Sequence, residues 1–184
     1  NRSSDQAIAQ NFIIYRLADV MLMKAEALAA MSTGDYKEDS RIEEAFNLVR
    51  IVNARSLENP ADSMKLEGLA PTAAKMEELV LQERQRELAF EGKRWYDLLR
   101  YNYRHVEGVD YNSILADQTS FVTNYQPMLD LIKSKMEGKG EAVTAKMNNE
   151  PRLYMPLPLA DLKISPLLKQ NPRYSSTENT SKNY

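Results

Sequence analysis

The sequence predicts an all-α fold of helical hairpins with long loops and a proline-rich C-terminal wrap. Apolar residues recur at helical spacing over three long segments, and short clusters rich in Gly, Pro and Asn separate these segments. Five of the eight prolines fall between residues 151 and 172, where they disfavour a continuous helix.

The first predicted helix covers residues 13–31, because its apolar residues close on one face at about 100° per residue. The opposite side carries Arg16, Asp19 and Glu26. A break at Ser32 to Asp35 precedes a second amphipathic helix over residues 41–55, so the two helices are expected to form a hairpin. The apolar face of the first helix comprises Ile14, Leu17, Ala18, Met21, Ala25, Leu28 and Ala29.

Further helices are predicted after the break that ends at Pro71. Thr72 is a suitable N-cap for a helix that runs to residue 91, and Gly92 suits the C′ position. Such helix–turn–helix units are typical of tetratricopeptide-like packing, although no side-chain pattern repeats at about 34 residues. The following segments are predicted as a helix at 94–103, an ordered surface loop at 104–126 and a helix at 127–137.

The C-terminal part is predicted to contain no helix. Residues 151–172 are expected to form extended pieces and turns, with a short strand at Leu153–Met155. Residues 175–184 are polar and poor in apolar side chains, so we expect them to be disordered.

The composition excludes several classes of function. The chain has 184 residues with 24 basic and 26 acidic side chains, so no domain-wide positive field is available to bind nucleic acid. It has no cysteine and one histidine, His105, which excludes thiol chemistry and histidine-rich metal sites. We expect no metal and no cofactor. Asp19, Lys24 and Glu26 interrupt the most hydrophobic stretch, so no segment is suited to span a bilayer.

Two carboxylates of the third long helix stand out because Glu83 and Glu87 share the helical arc of its apolar residues. Buried acids need partners, and nearby arginines can hold a carboxylate in two hydrogen bonds. The favoured interpretation is a structural ion-pair and aromatic network without catalytic residues. The alternative is a glycosidase acid–base pair. The network would comprise Glu83, Arg84, Glu87, Arg94, Trp95, Asp97 and Arg100.

Two other side chains in this region allow more than one interpretation. Trp95 is interpreted as a core aromatic, with a carbohydrate-stacking platform as the alternative. His105 is interpreted as an ordinary surface or capping histidine, since neither a cysteine nor a second histidine can join it.

Three stretches, in order, resemble the SusD/RagB family of outer-membrane nutrient-binding lipoproteins. Residues 15–28, YRLADVMLMKAEAL, are similar to a helix of the family, and residues 83–100, ERQRELAFEGKRWYDLLR, are similar to a second conserved segment. The third stretch, residues 153–174, is similar to the closing segment, with Arg173 where the family usually has glycine. Together the resemblance covers most of the chain.

The resemblance implies a mostly helical protein that performs no chemistry on its ligand. It would capture a glycan or another nutrient at the cell surface and pass it to a TonB-dependent, SusC-like outer-membrane transporter. Residues 1–174 would be the C-terminal helical region of a longer protein. A lipid anchor outside this chain would then be its link to the outer membrane.

The residues that contact a ligand are expected to lie in loops, where aromatic faces can stack on sugars and side-chain amides can form hydrogen bonds with sugar hydroxyls. The alternative role of the tyrosines is to anchor a long loop. A rival function is a structural module that docks on the transporter or on the absent N-terminal half. The candidate ligand-binding residues are Tyr103, Tyr111, Asn112, Asn124 and Tyr125.

Overall fold

Helices provide the regular secondary structure in a computed structural model of the chain. The structure describes residues 13–59, 62–106, 125–136, 138, 140–142, 156–165 and 167–170. Within these ranges there is no strand, and an isolated antiparallel bridge pairs Asp35 with Thr72. The predicted all-α class is therefore confirmed. The chain divides into two units, the first ending at Arg94 and the second beginning at Trp95.

Three of the helices begin with a capping side chain or with a proline in the first turn. Asp39 caps α2 by accepting a hydrogen bond from the Arg41 amide at 3.0 Å. Thr72 caps α4 as predicted, with its hydroxyl accepting from the Lys75 amide at 3.3 Å. Pro127 occupies the first turn of α6, where its missing amide proton costs nothing. The helices are α1 Leu17–Met31, α2 Ser40–Ala54, α3 Leu66–Leu69, α4 Ala73–Glu87, α5 Arg94–His105, α6 Gln126–Ser134 and α7 Leu159–Ile164.

The first unit is built on α1, α2 and α4, which pack against one another. Small residues on α1, among them Ala18 and Ala25, let the neighbouring helices approach closely. The short α3 also packs on α4. The core of this unit includes Leu22, Leu28, Ile42, Phe46, Val49, Val52, Met76, Leu79 and Val80.

The second unit has its own small core, formed by α5 and the start of α6. Its buried members are Leu98, Val106, Tyr125, Met128 and Leu129, with Trp95 and Tyr103 among the partly buried side chains around them. Asn102 is buried, and its side-chain oxygen accepts a hydrogen bond from the Met128 amide at 3.2 Å. This bond fixes the start of α6 against α5.

Two helix ends differ from their predicted positions. The first helix begins at Leu17 rather than at residue 13, because Arg16 is extended and its side chain reaches Glu87 at the end of α4. The third long helix ends at Glu87 rather than at residue 91. After it, Phe90 and Gly92 have φ angles of 65° and 72°, so the chain turns through the left-handed region before α5 begins.

The prediction that residues 151–172 contain only extended pieces and turns was wrong for α7. Pro158 precedes this helix, and proline is compatible with a helix start. Around α7 the Leu157 amide donates to the Gln170 side chain at 2.9 Å, and the Gln170 amide returns a bond to the Leu157 carbonyl at 3.0 Å. The predicted strand at 153–155 and the predicted tail at 175–184 lie outside the described residues.

Candidate functional site

A buried ion pair joins α1 to α4 in the first unit. Arg84 and Asp19 expose 2% and 1% of their side chains, and Arg84 Nη1 lies 3.0 Å from Asp19 Oδ1. Arg84 Nε lies 3.7 Å from a carboxylate oxygen of Glu26, which is also buried. Lys93 Nζ lies 3.2 Å from the other oxygen of Asp19. Cations therefore approach both oxygens of the Asp19 carboxylate.

This arrangement corrects part of the predicted polar and apolar faces of α1. Asp19 and Glu26 were expected on the polar side, yet both are buried against α4. Conversely, Ile14 and Leu17 were expected in the apolar stripe, yet they expose 61% and 75% of their surface. Four residues of the predicted stripe are buried as expected: Ala18, Ala25, Leu28 and Ala29. The buried face also includes Asp19 and Glu26, whose carboxylates contact the buried Arg84. A seven-residue spacing, which places Asp19 and Glu26 on one face, was the available clue in the sequence.

A second cluster surrounds Glu87 at the end of α4. Arg16 and Arg55 both form ion pairs with the same Glu87 oxygen, and Arg16 also donates to Glu91 at 2.9 Å. Burial alone would raise the pKa of Glu87, but the hydrogen bonds from the two arginines lower it below its usual value of 4.5. The hydrogen bonds that Arg16 donates to Glu91 and Glu87 raise the pKa of Arg16. The cluster therefore favours the ionised form of Glu87.

The other acidic residue of the helical arc, Glu83, is buried and contacts two donors. Arg86 Nη2 lies 2.6 Å away, and the side-chain amide of Asn53 on α2 lies 3.3 Å away. Arg94, another residue of the predicted network, donates to the Leu81 carbonyl at 3.1 Å. Sequence reasoning missed the contributions of Arg16, Asn53, Arg55 and Lys93, because these residues lie tens of positions from the helix they contact.

The remaining residues of the predicted network lie in the second unit. Asp97 is buried and accepts a hydrogen bond from Arg100 at 2.7 Å. Trp95 is partly buried and packs on the core that contains Leu98 and Met128. Each acidic member of the predicted network thus has an arginine partner: Arg86 for Glu83, Arg16 and Arg55 for Glu87, and Arg100 for Asp97.

A concave pocket of about 530 Å³ lies between α5 and α6 in the second unit. The rings of Tyr101 and His105 stack with their centres 4.1 Å apart and their planes 22° apart. His105 Nδ1 lies 2.8 Å from the Tyr101 carbonyl oxygen, which can only accept, so Nδ1 carries a proton. Gln126 donates to Asp130 at 2.6 Å on the opposite wall. The pocket thus combines an aromatic surface with amide and carboxylate groups. It is lined by Tyr101, His105, Val106, Gln126, Pro127, Asp130 and Leu131.

The predicted ligand-binding residues occupy different positions relative to this pocket. Tyr125 is 4% exposed and belongs to the second core, and Tyr103 is partly buried against the same core. Tyr111, Asn112 and Asn124 lie outside the described residues. Sequence reasoning did not connect Tyr101 with His105 as one surface, although a spacing of four residues places them on the same helical face.

Among the described residues, no group of three or more His, Cys, Asp or Glu side chains is arranged to hold a metal ion. None of the described helices has both the length and the apolar character needed to cross a membrane.

Comparison with known proteins adds one decisive match: the model of the SusD family matches residues 1–174. The chain belongs to the SusD family. It is similar to two proteins of Formosa agariphila, SusD-like protein P38, with 35% identity over 94 residues, and SusD-like protein P2, with 36% identity over 90 residues. These matches cover 50% and 49% of this chain but 17% of each relative. No solved structure matches the chain. SusD family proteins are in general non-enzymatic and bind nutrients or glycans.

Proposed function

We propose that this SusD family chain captures a glycan or another nutrient without altering it, as part of a surface lipoprotein of the outer membrane. The captured ligand is then passed to a TonB-dependent, SusC-like transporter. The observation that carries the proposal is the family match over residues 1–174. Because the chain matches only 17% of the length of the two relatives, the activity of the whole protein is part of the proposal.

The electrostatics of the buried acids supports binding rather than glycoside hydrolysis. A general acid in a glycosidase needs a raised pKa so that it holds a proton near neutral pH. The pKa of Glu87 is instead lowered by Arg16 and Arg55. Glu83 is buried, and it accepts hydrogen bonds from Arg86 of its own helix and from Asn53 of α2. Both acids are therefore better suited to join helices than to transfer protons.

The pocket between α5 and α6 is the proposed place of ligand contact. Stacked aromatic rings at Tyr101 and His105 offer an apolar face for the C–H groups of a sugar, and Gln126 and Asp130 offer groups that bond hydroxyls. Segment 107–124 joins the two helices in sequence. We therefore propose that Tyr111, Asn112 and Asn124 of this segment extend the ligand-binding surface.

Tyr103 and Tyr125 take a supporting role in this proposal. Both pack in the core beneath α5 and α6, so they would position the pocket. This assignment follows the alternative in which tyrosines anchor the loop.

A binding screen tests the proposal. The chain is titrated against polysaccharides, oligosaccharides and peptides by isothermal titration calorimetry, and each ligand is then analysed for shortened products. We expect at least one carbohydrate or peptide to bind and to be recovered intact. Recovery of cleaved ligand would instead support the glycosidase alternative. Absence of binding across the panel would support the docking-module alternative.

A further inference from the structure

The pocket between α5 and α6 has an uneven charge. Among the described residues that line it, Asp130 is the acidic side chain, and none is a lysine or an arginine. Asp130 is exposed on α6, so a ligand can reach its carboxylate from solvent. An ionised carboxylate accepts hydrogen bonds and cannot donate them. A ligand group that contacts Asp130 must therefore be a hydrogen-bond donor or a cation.

Gln126 fixes the direction of this carboxylate. It lies one helical turn before Asp130, and its side-chain amide donates to Asp130 Oδ1 at 2.6 Å. Both side chains line the same wall of the pocket. A carboxylate has about four lone-pair sites, so the bond from Gln126 leaves acceptor positions for a ligand. The hydroxyls of a sugar are suitable donors for these positions.

The cations that are close to the pocket in sequence do not neutralise Asp130. Lys133 lies three residues further along α6, but it binds Glu141 at 2.5 Å. That hydrogen bond contributes more to the raised pKa of Lys133 than the charge of Asp130 does. Arg104 precedes His105 on α5, but it lies about 100° away around the helix and does not line the pocket. The negative charge of Asp130 therefore faces the pocket without an opposing cation on its lining.

This charge distribution discriminates among sugars by their charge. The stacked rings of Tyr101 and His105 offer an apolar face to the C–H groups of neutral and acidic sugars alike. The carboxylate of a uronic acid or a sulfate group beside Asp130 would instead meet a like charge. Two such charges 4 Å apart repel by about 1 kcal/mol in water, and by more where water is partly excluded. Discrimination by charge therefore depends on Asp130.

We propose that the pocket between α5 and α6 selects sugars that carry no negative charge, and that Asp130 is the residue responsible for this selection. The hydroxyls of a neutral sugar donate to Asp130, while the sugar ring packs on Tyr101 and His105. Uronic acids and sulfated sugars are excluded by repulsion. This inference rests on the proposed function, because it requires that a sugar occupies the pocket.

Three methyl glucosides that differ only at C6 test the inference. They carry a hydroxyl, a carboxylate or an ammonium group at this carbon, and each is titrated calorimetrically into the natural full-length polypeptide. The titrations are made at about pH 8, above the range in which histidine usually gains its second ring proton. We expect the hydroxyl and ammonium compounds to bind at least about fivefold more tightly than the carboxylate compound. Equal affinities of the hydroxyl and carboxylate compounds would overturn the inference.

Asp130→Asn removes the charge and retains the shape of the side chain. An asparagine at this position can still accept the hydrogen bond from Gln126. We expect the affinity for the carboxylate compound to come within about twofold of that for the hydroxyl compound. Asp161→Asn is the matched control, since Asp161 is exposed on α7 and does not line the pocket. An equal loss of selectivity in the control would assign the selection to the net charge of the protein and overturn the inference.

Two further measurements separate the possible causes of failure. Only binding that Tyr101→Ala weakens is assigned to this pocket. If Tyr101→Ala weakens none of the three titrations, the pocket is not a sugar site, and the proposed site of ligand contact fails together with this inference. If the three compounds bind this pocket equally, sugar capture is supported and charge selection alone is overturned. Salt at about 1 M should reduce the selectivity, because it shortens the Debye length to about 3 Å. Selectivity that salt does not change would indicate steric exclusion and would overturn the inference.

Discussion

Arg84 reaches across 65 positions of sequence to donate a hydrogen bond to Asp19 at 3.0 Å, and both side chains are almost fully buried. The pair joins the last turn of α4 to the first turn of α1. A buried ion pair of this kind is weak evidence for net stabilisation, but loss of one partner leaves an uncompensated charge in the core. Its clearest consequence is the fixed rotation of α1 about its own axis.

Replacement of Arg84 by methionine should therefore be strongly destabilising. We expect Arg84→Met to lower the free energy of unfolding by about 3–5 kcal/mol, since Asp19 and Glu26 remain buried. Lys24→Met is the control, because the Lys24–Glu44 pair is exposed and should contribute at most about 1 kcal/mol. Urea denaturation measures both variants. Equal losses would show that the buried pair has no special role.

The Glu87 cluster predicts a pH dependence of stability. The pKa of Glu87 in the folded state is below its usual value of 4.5. The contribution of Glu87 to the free energy of unfolding is therefore complete above pH 4.5, and it is lost as the pH falls through the folded-state pKa. Glu87→Gln should lower the free energy of unfolding by about 1–3 kcal/mol at pH 7. That difference should shrink below pH 4.5 in urea titrations. A difference independent of pH would contradict the assignment.

The close approach of α1 to its neighbours depends on small side chains. Ala25 is fully buried, and Ala25→Leu should lower the free energy of unfolding by about 1–3 kcal/mol because the larger side chain forces the helices apart. Ala27→Leu on the exposed side of the same helix is the matched control and should change stability by less than about 0.5 kcal/mol. Thermal unfolding distinguishes the two. Tolerance of leucine at position 25 would indicate a loosely packed helix pair.

The proposed ligand site predicts a specific loss of affinity. Tyr101→Ala should weaken binding of the best ligand from the screen roughly tenfold, which corresponds to about 1.4 kcal/mol of lost stacking. Tyr96→Ala on the same helix is the control, because Tyr96 is exposed and does not line the pocket. Calorimetric titration gives both affinities, and thermal unfolding checks that both variants fold. Equal affinity in the two variants would indicate that the ligand binds at a site other than this pocket.

The fold class could be predicted because α1, α2 and α4 carry strong helical periodicity and suitable caps such as Thr72. The burial of Asp19 on α1 could not be predicted. Helical periodicity places Asp19 on the polar face of α1 unless a distant cation is known to lie beside it. Similarly, α7 was missed because prolines were taken to exclude helix, whereas Pro158 only precedes it.

The candidate site was less predictable than the fold. Tyr101 and His105 carry no recognisable motif, and the pocket exists because α6 returns beside α5. That return depends on a tertiary contact, the bond between Asn102 and the Met128 amide, which local patterns do not encode. The long-range partners of Glu87 were missed for the same reason.

Lys93 binds the Ile14 carbonyl from 79 positions away and also contacts the Tyr15 ring and Asp19. The segment ahead of α1 is therefore tied to the turn that follows α4, rather than held by its neighbours in sequence. Segments outside regular secondary structure usually open locally at a low free energy. Here fraying of residues 13–16 requires release of the Lys93 contacts. Local unfolding of these two segments is accordingly one cooperative event.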